Sequence, residues 1–156
     1  MLKLAFLAVT HGAVLALGFV LGVFYLPILI APAPPSASVL EAISADATYQ
    51  VEISNDLRGS DFLHWGDGTI SVSPTQIAHQ GSLAPGPDYR LYLVSEFAEH
   101  EDEFLPLKQD AIVIGRVSSF DGFVLDVPAG VDVSNYTTAL IWCETFGEFI
   151  TAVQYR

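Results

Sequence analysis

One cysteine stands among 156 residues: Cys143, inside "TTALIWCETF" (137–146). A thiol can be a nucleophile, a ligand to a metal or haem iron, or half of a disulfide. With no second cysteine an intrachain disulfide is excluded, and only pairing with another chain remains. Nucleophilic work needs thiolate character, usually supplied by Lys, Arg, a charged His, a helix N-terminus or a metal. No basic residue lies within ten positions of Cys143, and Glu144 adjoins it. A bare thiolate is therefore disfavoured, whereas a bound cation would reverse the sign. The plain alternative is packing, because a free cysteine is a small hydrophobe and among the most buried residue types.

Histidines are the possible co-ligands. His64 lies in "SDFLHWGDG" between Asp61 and Asp67, His79 in a strand-like run, and His100 in an acidic segment. No H-x-x-x-H, H-E-x-x-H or C-x-x-C-H spacing occurs. Met1 is the sole methionine, so an axial methionine in the outer domain is excluded. His64 is the more suggestive, since neighbouring carboxylates fix an imidazole tautomer. A turn-edge histidine bonded locally is the simpler reading. Asp61, Asp67, Asp121 and Asp126 could supply a carboxylate pair, but turn formation explains them as well. No G-x-S-x-G and no glycine-rich phosphate loop is present, and Asn135-Tyr136-Thr137 fits a glycosylation acceptor.

The elements that must hold these groups read as β. "TYQVEIS", "GTISVS", "QIAHQGSL", "YRLYLV", "DAIVIGRVS", "FVLDV", "TALIWCETF" and "FITAVQY" are short, β-branched and aromatic. Asp67-Gly68, Pro85-Gly86-Pro87, Asp121-Gly122 and Ala129-Gly130 punctuate them. The pattern predicts an all-β sandwich or barrel of about eight short antiparallel strands. Alternation puts Ala139, Ile141 and Cys143 on one face of their strand, and Leu140, Trp142 and Glu144 on the other. "SEFAEHEDEF" (95–104) breaks the pattern. Its carboxylates suit calcium or magnesium in kind but lack the order of a calcium loop, so a solvated loop or short helix is expected.

Before the β region, Leu4 to Ile30 runs 27 residues without Asp, Glu, Lys or Arg. Such a helix would be about 40 Å long, enough to cross a hydrocarbon core of about 30 Å. A signal peptide is the rival, with Ser36 and Ser38 at a cleavage site, but its apolar region is usually about 7–15 residues. The expected organisation is an anchor at 1–30, a Pro/Ala/Ser-rich linker at 31–45 and a β domain at 46–156. "VLEAISA" (39–45) is either a helical turn or more linker. Lys3 favours a cytoplasmic N-terminus, with the domain periplasmic or extracellular. Gly18 and Gly22 form a G-x-x-x-G that permits a homodimer. His11 is ionisable within the span, a functional hint that a neutral imidazole would also satisfy.

All 18 acidic residues follow position 40, against five of the six basic ones. Nucleic acid and anionic lipid surfaces would be repelled. Charged partners should be basic.

"GPDYRLYL" (86–93) followed by "VPAGVDVSNYTTALIWCETF" (127–146) resembles the DM-thirteen domain, the family labelled electron transfer DM. The residues that carry the likeness are Gly86, Pro87, Asp88, Pro128, Asp132, Tyr136, Ile141, Trp142, Cys143 and Phe146. Gly59, Asp61, His64 and Gly68 add a weaker opening, so the resemblance covers about 57–156. It implies an extracytoplasmic β-sandwich-like domain of secreted or membrane proteins, sometimes beside DOMON and b-type cytochrome modules. It also implies a redox role for the cysteine, as a free thiol or through a prosthetic group such as haem. The acidic segment 96–104 departs from the family pattern, and "FGEFITAVQY" is one residue out of step with it.

The leading expectation is a membrane-anchored redox or electron-transfer domain. Cys143 is its reactive group, and Cys143, His64 and Trp142 are candidate cofactor-binding residues, with Trp142 either packing or an aromatic relay. A haem or a metal ion held through Cys143 is the cofactor the resemblance allows. Expected partners are the bilayer through residues 4–30 and another redox protein. The alternative is a non-catalytic acidic module of the cell envelope that recruits a basic protein.

Overall fold

A computed structural model describes residues 1–156. The apolar run forms helix α1 (Leu2–Ile30), long and apolar enough to cross a membrane, with none of its residues buried. At 1.5 Å per residue it is about 43 Å long. Pro27 lies in its last turn, and beyond it Ala31 to Ser36 are irregular. The segment left open as turn or linker is a second helix, α2 (Ala37–Ala45). Its one buried residue, Leu40, explains why the helix holds: that side chain is sealed against the domain. The Ser44 and Ser71 hydroxyls are 3.0 Å apart, tying α2 to the first sheet.

Eight antiparallel strands follow: β1 (Tyr49–Glu52), β2 (Thr69–Val72), β3 (Gln76–Gln80), β4 (Tyr89–Val94), β5 (Ile112–Val117), β6 (Phe123–Asp126), β7 (Thr138–Cys143) and β8 (Glu148–Gln154). They coincide with the eight runs picked out by alternation and turn residues. They form two sheets, ordered β1-β2-β3-β6 and β5-β4-β7-β8. The sheet edges face each other, β5 with β6 and β1 with β8. The result is a sandwich with nearly closed sides.

Two cores follow from strand alternation. Between the sheets lie Ile70, Val72 and Ile77 from one side, and Tyr89, Leu91, Leu93, Ile141 and Cys143 from the other. The outer face of the second sheet carries Tyr92, Leu140, Trp142 and Phe149. It needs a lid, because an exposed row of such residues would be an aggregation surface. Helix α3 (Glu101–Leu107) supplies it by inserting Phe104, which is fully buried, against Trp142 and Tyr92.

The acidic segment is thus the start of α3. His100 caps the helix by accepting from the Asp102 amide. Glu101, Asp102 and Glu103 occupy the first turn, where the helix dipole favours negative charge. Arg58 bonds both Asp102 (2.6 Å) and Glu103 (2.8 Å), and the Glu101 carboxylate accepts the Phe149 amide at 3.0 Å.

Candidate functional site

Cys143 ends β7 and faces the space between the sheets, only 2% exposed. Its carbonyl accepts the Gly147 amide at 2.9 Å, closing the turn that joins β7 to β8. Gly147 takes φ +70 there, a left-handed conformation suited to glycine. The turn folds its own amides back over the sulfur. Burial pushes the Cys143 thiol above its ordinary value; backbone N–H groups of Phe146, Asp88 and Thr145 pull the other way and lose. The sulfur is therefore a protonated thiol at neutral pH.

Tyr89 stands opposite Cys143 in the β4–β7 ladder. Burial, and secondarily the nearness of Cys143, pushes its phenol well above the ordinary tyrosine range. Its ring rests on Gly86, where a Cβ would collide with the ring and the hydroxyl. Glycine is required at this point of the Gly-Pro-Asp turn because an aromatic ring occupies the place of a side chain.

Above Cys143 opens a cavity of about 390 Å³. His64, Leu63, Tyr89, Phe146 and Ile150 line it from the domain, and Phe19, Val20, Val23 and Phe24 of α1 form the facing wall. The loop bearing His64 is fixed at both ends. Asp61 Oδ1 accepts the Leu63 and His64 amides at 2.6 and 2.8 Å, and its carboxylate also contacts the His64 ring. These bonds outweigh the upward pull of burial and hold the Asp61 carboxyl below its usual range. On the far side Gly66 bridges to Leu83, and the Ala84 amide donates to the Trp65 carbonyl at 2.9 Å. The end of α1 rests nearby, with Pro27, Ile30 and Ala31 bordering Gly86 and Pro87.

The structure thus brings Cys143 and His64 to one cavity. Trp142 lies on the opposite face of β7, as alternation requires, under Phe104 at 5.0 Å between ring centroids. Lys108 Nζ sits 5.1 Å from that ring and 2.7 Å from Glu144 Oε2, whose partner oxygen accepts from the Tyr92 hydroxyl. Burial raises the Glu144 carboxyl, but the Lys108 and Tyr92 hydrogen bonds together bring it below the ordinary range. Asp88 lies close to Arg90 (3.5 Å) and Arg116 (3.6 Å), cations invisible from the neighbourhood of Cys143 in sequence. His79 and His100 do not line the cavity. His79 Nε2 donates to the Asp67 carbonyl at 2.7 Å inside the first sheet.

A metal ion does not fit these residues. Closed sites take four donors and open ones three, whereas no group of three His, Cys, Asp or Glu side chains converges anywhere in the chain. A haem fits little better, since no Lys or Arg lines the cavity to meet its propionates.

Sequence reasoning missed Tyr89, Leu63 and Phe146 as cavity residues, and α1 as its wall. The ladder position of Tyr89 was signalled by its place at the start of a strand beside a glycine turn. Nothing local signalled the approach of α1.

A buried thiol at the end of a sandwich strand, under a loop-bordered cavity, defines a single-cysteine β-sandwich domain. The family model described as Electron transfer DM13 matches residues 56–155, and the chain belongs to that family. Membership points to a redox-related role. No curated protein and no solved structure matches the chain.

Proposed function

We propose that the chain is a membrane-anchored electron-transfer domain whose redox-active group is the Cys143 thiol. The observation that carries this reading is the shared cavity: a lone thiol, a phenol and an imidazole border one apolar space in a chain of an electron-transfer family. Oxidised by one electron, Cys143 gives that electron to an oxidised partner protein and its proton to the His64 imidazole, leaving a sulfur radical. Burial keeps the thiol protonated and slow toward adventitious alkylation between turnovers. Trp142, across the strand, packs the sheet against α3 and offers an aromatic step toward the outer surface.

Helix α1 holds the domain to the bilayer, with Lys3 on the cytoplasmic side and the domain outside. The Gly18–Gly22 strip, where an added Cβ would meet no other part of the chain within 4 Å, is the face on which a second copy packs. The acidic segment, by contrast, has much of its charge engaged by Arg58, His100 and the Phe149 amide, which favours a structural role over recruitment of a basic protein.

The test is a redox titration of the full chain in detergent, wild type beside Cys143→Ala, with absorption and radical spectroscopy. A signal lost on substitution supports the reading. A wild-type thiol that stays reduced against every oxidant ends it.

A further inference from the structure

We infer that the cavity above Cys143 binds a membrane-dissolved quinone. The inference concerns binding alone and rests on the electron-transfer reading for its choice of ligand class.

At about 390 Å³ the cavity falls in the range of small-molecule sites. Its walls are apolar, and one of them belongs to α1. That helix is about 43 Å long against a hydrocarbon core of about 30 Å. Its last third therefore rises into the interfacial layer, where Phe24 and Tyr25 take the place of an aromatic belt. Of the α1 wall, Val23 and Phe24 fall in that layer and Phe19 and Val20 at the edge of the hydrocarbon core, so the cavity straddles the boundary where lipid-soluble molecules arrive. Leu63 and Phe146, 46% and 57% exposed, continue the same apolar rim on the domain side.

The polar groups select the head of the ligand. Tyr89 is 2% exposed, and its hydroxyl end lies at Gly86, which also lines the cavity. No hydrogen bond of the fold satisfies that hydroxyl; only burial and Cys143 act on it. The ring is buried but the hydroxyl itself keeps contact with solvent, so this O–H is a donor free to meet an acceptor that enters the cavity. No Lys or Arg lines the cavity, so it suits a neutral head better than a phosphate or carboxylate. A neutral, flat, carbonyl-bearing lipid meets all three conditions, and a quinone is the redox-competent member of that class.

The experiment uses the full chain in phosphatidylcholine nanodiscs titrated with decylubiquinone, against empty nanodiscs. Quenching of Trp65, two residues from Leu63, reads the binding. Saturable binding is expected. Tyr89→Phe should weaken it about fivefold or more, and Leu63→Arg, on an exposed loop that cannot unfold the core, should abolish it. No saturation above empty discs, or equal affinity in all three proteins, overturns the inference. A Cys143 that titrates without quinone binding sinks this inference alone. Quinone binding beside a redox-silent thiol sinks only the electron-transfer reading.

Discussion

Cys143 and Tyr89 are direct cross-strand partners between β7 and β4, and both side chains enter the core between the sheets. Each is raised in pKa by the same burial, and a charge on the sulfur would disfavour one on the phenol. The pair is therefore stable only as neutral thiol and neutral phenol. Oxidation that expels a proton together with an electron suits such a pair better than chemistry that begins with a thiolate.

The thiol gives a pH-dependent prediction. An ordinary cysteine levels off in alkylation rate near its pKa of about 8.5. Cys143, raised by burial, should still be gaining rate at the pH where an ordinary cysteine has levelled off. Iodoacetamide kinetics followed by mass spectrometry from pH 7 to 10 would check this. A plateau below pH 8.5 would contradict the burial.

Gly86→Ala should be costly for a steric reason alone. Gly86 has no positive φ, so alanine suits the backbone, but its Cβ would strike the Tyr89 ring. A loss of about 1–3 kcal/mol is expected. Tyr89→Leu should relieve much of it in the double variant, a coupling that chemical denaturation of the four proteins would measure.

His79 predicts acid sensitivity. Burial is the main cause that lowers its pKa; its Nε2–H is committed to the Asp67 carbonyl, and Nδ1 is buried without a partner. A proton can be added only at that orphan nitrogen. The unfolded chain therefore binds more protons below about pH 6.5, and stability should fall as pH drops through that value toward the lower folded-state pKa. His79→Gln, which keeps a donor for Asp67, should flatten the profile between pH 7 and 5 in thermal melts.

Phe104 tests the lid. It is fully buried and contacts both Trp142 and Tyr92. Phe104→Ala should cost about 3–5 kcal/mol. It should also shift Trp142 emission to the red as water reaches the outer face of β7, whereas a well-packed replacement such as Leu should not.

Much of the sandwich was legible because its signals are local. Period-two alternation and glycine turns located all eight strands, and alternation also put Cys143 and Trp142 on opposite faces. Helix α2 was harder to see. Nine residues carry little intrinsic helix signal, and Leu40 decides the matter by burial against strands far along the chain. The site was half legible. Cys143 and His64 are visible as residue types, but Tyr89, Asp88 and the arginines beside it reach the neighbourhood through a ladder joining segments about fifty residues apart. No spacing rule reports such a pairing.

The wall lent by Phe19, Val20, Val23 and Phe24 bears on how the protein should be handled. Without helix α1 the domain would lose one side of the chamber over the sulfur. Such a fragment would turn the rim of Leu63 and Phe146, and the mouth above the sulfur, toward water. Chemistry recorded on that species would describe the missing helix rather than the protein.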